Sequence, residues 1–241
     1  MIFIFGLLIG SFLNVVIIRL PEDKSIAFPS SHCVHCKKKL KPYHNIPLLS
    51  WIALRGKCAY CKESISKQYP LIELLTGIIF LAVFYKFGFG LYALGISVVF
   101  TTLLALSAID WKYKMVPDSL NLLALTIAIA TALTLGGVIN NLINALLFAG
   151  GFSLLRFYVS YLSKKEAMGE ADIMIAATMG AVLGVKLGVV SIFIGAIIAI
   201  VPLLLNIKGK ELPFIPFLAL GAFVTLIFDS AINDYLVGLY G

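Results

Sequence analysis

Eight stretches of the chain, at 1–18, 71–85, 91–109, 119–135, 138–158, 172–185, 187–206 and 213–232, are almost uninterrupted runs of apolar residues. No other feature constrains the fold as much. Most of the runs are long enough for a helix to cross a hydrocarbon core of about 30 Å. Those at 71–85 and 172–185 are short, so their helices are expected to tilt or to be partly buried among neighbours. Composition agrees: 61% of the residues are hydrophobic and 13% are charged, against about half and about a quarter in a soluble domain. The first run has no basic residue ahead of it and no small-residue cleavage site behind it. It therefore reads as a membrane helix ending at Arg19 and not as a secretory leader. The expected fold is an all-α polytopic membrane protein of about eight transmembrane helices.

One polar stretch, Pro21 to Pro70, is long enough for a small extramembrane domain between helices 1 and 2. The chain thus divides into a first helix at 1–20, a polar domain at 21–70 and a membrane domain at 71–241. Lysine and arginine mark the cytoplasmic loops of membrane proteins. With a periplasmic amino terminus, the segment from Arg19 to Lys67 and the loops at 110–118, 156–171 and 207–212 face the cytoplasm, and they hold 17 of the 19 basic residues. Only Lys86 and Lys186 fall on the other side. The net charge of +7 then reflects topology. Membrane lipid is an expected partner and nucleic acid is not.

Four cysteines stand in the polar domain as Cys33-Val-His-Cys36 and Cys58-Ala-Tyr-Cys61, with 21 residues between the pairs. Four thiolates suit a tetrahedral Zn2+, and each CxxC turn supplies two of them. Cytoplasmic thiols stay reduced, which favours a metal over a disulfide. A segment of about fifty residues with few aliphatic side chains buries little core, so a metal would contribute folding energy. Four thiolates leave no open coordination position for catalysis. Cys33, Cys36, Cys58 and Cys61 are the expected ligands of a structural, zinc-ribbon-like site, with His32, His35 and His44 as alternatives. Two redox pairs, or unused thiols, would explain the same pattern.

Acidic residues number only 12, so each position can be weighed. Asp110 ends the third run, and Asp172 begins the sixth, 62 positions later. The loop charges put both at the cytoplasmic membrane face. Two carboxylates at one apolar boundary are able to share a proton, one activating water while the other polarises a scissile carbonyl. Structural explanations exist for each. Asp172 suits the first turn of a helix, with Glu166 and Glu170 beside it. Asp110 has Lys112 and Lys114 as ion-pair partners in reach, and Asp118, after Pro117, reads as an N-cap. Glu73, just inside the second run, is a functional candidate because an acid within a span is costly.

Five blocks together resemble the bacterial type IV prepilin peptidases, which are leader peptidase/N-methyltransferases. They are Gly10-Ser-Phe-Leu-Asn-Val-Val-Ile-Ile-Arg-Leu-Pro21; the paired CxxC loop; Asn45-Ile-Pro-Leu-Leu-Ser-Trp51 with Arg55-Gly-Lys-Cys58 and Tyr69-Pro-Leu-Ile-Glu-Leu-Leu-Thr-Gly77; Ile109-Asp110 with Pro117-Asp118; and Gly169-Glu-Ala-Asp172 where the family has GxGD. The resemblance implies that Asp110 and Asp172 are the catalytic pair of an aspartyl endopeptidase, and that Cys33, Cys36, Cys58 and Cys61 hold the metal. It implies a prepilin or pseudopilin substrate of a type IV pilus or type II secretion system. The leader is cut on the cytoplasmic side of the inner membrane, typically between a glycine and a phenylalanine. The new amino terminus is then N-methylated with S-adenosylmethionine as donor.

Two positions depart from the family pattern. Ala171 replaces the second glycine of GxGD, which strains the site if that position needs positive φ and favours it if the position is helical. Met174 stands where a lysine commonly follows. The chain has no glycine-rich nucleotide loop; for a methyl-transfer site it offers the Asn14–Arg19 region, the basic cysteine loop and Glu73. A channel or transporter using membrane acids as ion sites, and a non-enzymatic scaffold for the cysteine domain, are the competing functional classes.

Overall fold

The computed structural model describes residues 1–134, 137–165, 168–205 and 212–240. A backbone crossing hydrocarbon must satisfy its own hydrogen bonds, and the apolar runs do so as helices. Among the described residues there is no strand, only isolated bridges between His32 and Lys39 and between Lys57 and Ser64. The chain forms two compact units, Met1–Tyr85 and Lys86–Gly241.

The first unit contains α1 (Ile2–Arg19), the short α2 (Leu49–Ala53) and most of α3 (Gln68–Phe87). Small residues let α1 and α3 touch backbone to backbone, as membrane helices do where no hydrophobic effect drives them together. A Cβ on Gly10 would lie 2.7 Å from the Glu73 Cα, and one on Gly6 would lie 2.9 Å from the Gly77 Cα. Asn14 adds a polar clasp, its Nδ2 donating to the carbonyls of Gly10 (3.2 Å) and Tyr69 (3.1 Å). The Arg19 guanidinium ties the start of the polar segment back to the helix end by donating to the Ser25 and Pro29 carbonyls at 3.0 and 2.6 Å. The run read as 71–85 is longer than the sequence pattern suggests. Its helix starts at Gln68, because Pro70 falls in the first turn, where a proline's missing N–H costs nothing.

The second unit contains α4 (Leu91–Tyr113), α5 (Asp118–Ala130), α6 (Val138–Ser163), α7 (Glu170–Leu205), α8 (Ile215–Ile227) and α9 (Asp229–Tyr240). The helix α4 packs on α5 and α8; α7 packs on α5, α6 and α8. Close approach again rests on small residues: a Cβ on Gly221 would sit 2.4 Å from the Ser191 carbonyl oxygen. Lys86, at the start of the unit, pairs with Asp229 at 2.6 Å and also donates to the Ile227 carbonyl, bracing the 79° bend between α8 and α9.

Among the described residues, five helices are long and apolar enough to cross a membrane, or six if the bent pair α8–α9 counts as one span. That is fewer than the eight drawn from hydropathy, although each of the eight runs, where it is described, is mainly helical. The fourth run is a shorter apolar helix. The sixth and seventh runs lie in one element of 36 residues, α7, which as a straight helix would measure about 54 Å, well beyond a hydrocarbon core. It is not straight. Gly184 takes φ 72° and ψ −179°, a conformation open to glycine alone, close to the break that hydropathy puts between 185 and 187. Gly180 and Gly188 consequently both face the Phe148 ring. Asp118 does not cap α5: Pro117 is the N-cap with no side-chain bond. Asp118 instead occupies the first turn, where its charge complements the helix dipole.

Candidate active site and metal centre

In the second unit, two carboxylates at helix ends lie within electrostatic reach of one another. Asp110 lies one turn before the end of α4, which closes at Lys114 in a left-handed conformation (φ 55°), with the Lys114 N–H donating to the Asp110 carbonyl at 3.0 Å. Its side chain is buried, at 9% exposure, and accepts the backbone N–H of Ile215. Ile215 is the first residue of α8, so an N–H from a helix amino terminus, where the dipole favours an anion, meets the carboxylate. The charge of Lys114 also acts on Asp110, and so does that of Asp172. Lys112 points elsewhere, bonded to the Tyr113 hydroxyl at 3.0 Å.

Asp172 is the third residue of α7, half-buried, and its Oδ2 accepts the Gly169 N–H at 3.2 Å. This is the side chain of a first-turn acid reaching back to the capping residue, one half of a capping box. The structural reading of Asp172 therefore holds, and the same bond orients the carboxylate. Ala171 lies in the first turn of α7 and is not among the positive-φ residues, so alanine is favourable here and the departure from GxGD introduces no strain. Glu170 is exposed and pairs with Arg156 at 3.2 Å. Glu166 lies outside the described residues.

Sequence reasoning missed two supporting groups. The Ile215 N–H is a backbone donor and leaves no trace in residue identity. Asn121 of α5 did leave one: it falls with Ala124 and Ala128 on the buried stripe of an apolar helix. Its Nδ2 donates to the Ala171 carbonyl at 3.1 Å.

In the first unit the four cysteines converge. Their sulfurs all lie within 4.8 Å of one another, and Cys33 Sγ to Cys61 Sγ is 3.8 Å. A tetrahedron with ~2.3 Å metal–sulfur bonds has edges of about 3.8 Å. Two matching knuckles build the cluster. In each, the N–H of the residue after the second cysteine returns to the carbonyl of the first: Lys37 to Cys33 at 2.9 Å, Lys62 to Cys58 at 3.1 Å. Lys37 and Lys62 both adopt positive φ, 58° and 63°. The thiols are electrostatically unequal. N–H groups of Cys61 and Tyr60 pull the Cys58 thiol down to about 6. Cys61, although the Glu63 N–H favours its thiolate, is pushed up to about 11 by burial and by the sulfurs of Cys58, Cys36 and Cys33. Crowded thiolates of this kind are stable together when a divalent cation neutralises them. The histidines are not in the cluster: His32 bonds the Ser30 carbonyl at 3.1 Å, and His44 packs edge-on against Tyr43 and Tyr60.

Glu73, the acid inside a span, is 7% exposed. Its Oε2 accepts the Leu48 N–H at 2.8 Å, and Ser11 hydrogen-bonds to the same carboxylate. Leu48 has φ 57° and ψ −51°, with the Leu49 N–H on the Pro47 carbonyl at 2.6 Å. That is the strained form of the γ-turn, which persists only where its surroundings impose it. Glu73 thus anchors a strained turn of the polar segment to α3.

Two family profiles match the chain: the bacterial peptidase A24 N-terminal domain over residues 4–87 and the type IV leader peptidase family over residues 97–204. Curated relatives named prepilin leader peptidase/N-methyltransferase align over nearly the whole length. That of Stutzerimonas stutzeri is 36% identical over 95% of this chain and 90% of its own. That of Xanthomonas campestris pv. campestris is 35% identical over 95% and 91%, and that of Pseudomonas aeruginosa 34% over 96% and 91%. No solved structure matches significantly.

Replacing Glu73 by alanine is expected to orphan the buried Leu48 N–H and cost about 1–3 kcal/mol, while Glu73→Gln, which keeps an acceptor, costs less. Thermal unfolding of the detergent-solubilised variants measures the difference; equal losses would contradict the anchoring role.

Proposed function

The chain belongs to the type IV leader peptidase family, and on that premise we propose that it is a membrane aspartyl endopeptidase that removes the amino-terminal leader of a prepilin or pseudopilin, with Asp110 and Asp172 as the catalytic pair. The observation that supports this most is that the charge of Asp172 acts on Asp110, which puts the two carboxylates of α4 and α7 within electrostatic reach, each bonded to a backbone N–H at a helix amino terminus. Such a pair shares one proton. The ionised member takes a proton from water. The resulting hydroxide adds to the scissile carbonyl carbon while the protonated member donates to the carbonyl oxygen. Collapse of the tetrahedral intermediate breaks the C–N bond, the amine leaves with the proton held by the first carboxylate, and one hydroxyl proton of the diol returns to the second, restoring the shared proton. The α8 amino terminus, donating through Ile215, keeps Asp110 solvated by the protein where water is scarce.

The lysine and arginine bias of the loops supports an orientation with the amino terminus periplasmic and both the cysteine domain and the aspartates at the cytoplasmic face of the inner membrane. The cysteine cluster fits Zn2+: four thiolates, a 3.8 Å sulfur–sulfur edge and two matching knuckles. Bound there, the ion supplies folding energy to a segment with little core, and Cys33, Cys36, Cys58 and Cys61 hold it closed to substrate.

The relatives' second activity, N-methylation, implies S-adenosylmethionine. Asn14 clasps the Gly10 and Tyr69 carbonyls, Arg19 holds the Ser25 and Pro29 carbonyls, and Glu73 holds Leu48. Methyl transfer to the new amino terminus rests on the relatives' names.

Asp110→Asn and Asp172→Asn are each expected to abolish leader removal, by at least about a thousandfold, with protein level and membrane insertion kept. Immunoblots of a co-expressed precursor read this, and processing at the wild-type rate by either variant would exclude the assigned pair. For the metal, elemental analysis of the purified protein is expected to find close to one zinc per chain, lost together with cooperative folding of the polar segment in a Cys33→Ser/Cys58→Ser double variant. A metal-free protein with an intact cysteine domain would contradict the structural role.

A further inference from the structure

The amide of Asn121 stands at the point where the two aspartate-bearing elements of the second unit are connected. Asp110 is 11 positions earlier in the chain, across the short turn between α4 and α5. Asn121 lies one turn into α5, its own N–H on the Pro117 carbonyl at 3.1 Å. Its side chain reaches across to the carbonyl of Ala171, the residue immediately before Asp172. The first turn of α7 is thereby held from two directions: inside by the Gly169 N–H on Asp172, outside by Asn121 on Ala171.

What makes this more than packing is its thermodynamic disadvantage. Asn121 is 0% exposed, and its Oδ1 is buried without a hydrogen-bond partner. An orphaned buried acceptor destabilises the fold, because it has lost its water without gaining a partner. The Ala171 carbonyl does not need the bond, because inside α7 it already accepts from the helix ladder. A purely apolar side chain beside Ala124 and Ala128 would avoid the cost. A half-satisfied polar group kept at a stability cost beside an active site is where local rules are broken for function.

We propose that Asn121 is the positioning residue of the aspartate pair. Its amide fixes the first turn of α7, and with it the Asp172 carboxylate, against the segment that carries Asp110. The inference rests on the peptidase reading of that pair.

The test uses the full-length protein in detergent with a peptide spanning the leader junction. Asn121→Leu is expected to lower kcat by about ten- to a hundredfold, the range in which misplacing a catalytic group by about 1 Å falls. KM should stay within about twofold, and the melting temperature should be unchanged or higher. Asn121→Thr keeps a donor and is expected to recover most of kcat. The inference is overturned by a Leu variant that cleaves at the wild-type rate. It is equally overturned if rate and melting temperature fall together, or if Thr is no better than Leu. If the Leu variant does not accumulate, Asn121→Ala against Asn121→Thr decides the question by the same criteria. Retained cleavage by Asp110→Asn or Asp172→Asn would instead remove the underlying pair, so the two failures are distinguishable.

Discussion

A carboxylate at the edge of hydrocarbon has little water to solvate it, and the arrangement of the second unit follows from meeting that need with helix amino termini. The first N–H of α8 points at Asp110, and the residue that caps α7 donates to Asp172. Free N–H groups exist at the start of every helix, and the dipole there adds to their effect. Facing acids toward such ends lets them stay ionisable beside a membrane, with the charge of Lys114 adding to the effect at Asp110. It also means that the candidate site depends on where helices begin, so the turn at 114–117 and the cap at Gly169 matter as much as the helices themselves.

The same solvent shapes the packing. With no hydrophobic effect between helices in lipid, contact comes from close approach, and glycines at 6, 10, 77, 195 and 221 let backbones touch. Polar side chains then fasten what packing brings together: Asn14 between α1 and α3, Glu73 on the Leu48 turn, Asn121 between α5 and α7. The cysteine domain solves a different problem. It lies in a polar segment that cannot build a core, and its two knuckles, with lysines at positive φ, assemble four sulfurs into one cluster.

The helices and their breaks were legible because a long apolar run has one stable form in a membrane. Even the break inside α7 showed as a lapse in hydropathy near Gly184. The cysteine cluster was legible from spacing alone. The number of spans was less so, since hydropathy does not register that α5 is short or that the sixth and seventh runs join in α7 across the kink at Gly184. Asp118 misled because a proline–aspartate step suits both an N-cap and a first turn, and the register differs by one residue. Asp110 and Asp172 were visible as boundary acids, but their proximity depends on how α4 and α7 each pack on α5 and α8, which 61 intervening positions conceal. The Ile215 N–H was invisible in principle, being backbone. The orphaned oxygen of Asn121 was invisible for another reason: the sequence shows an asparagine on a buried stripe, but not which of its groups finds a partner.

The central claim is that two carboxylates act as one unit holding one proton. The pH dependence of kcat/KM for leader cleavage by the purified protein tests this most directly. A shared proton predicts a bell-shaped profile, falling on the acid side when the second carboxylate is protonated and on the alkaline side when the shared proton is lost. A profile with a single limb, flat to high pH, would mean that one carboxylate works alone and would contradict the account.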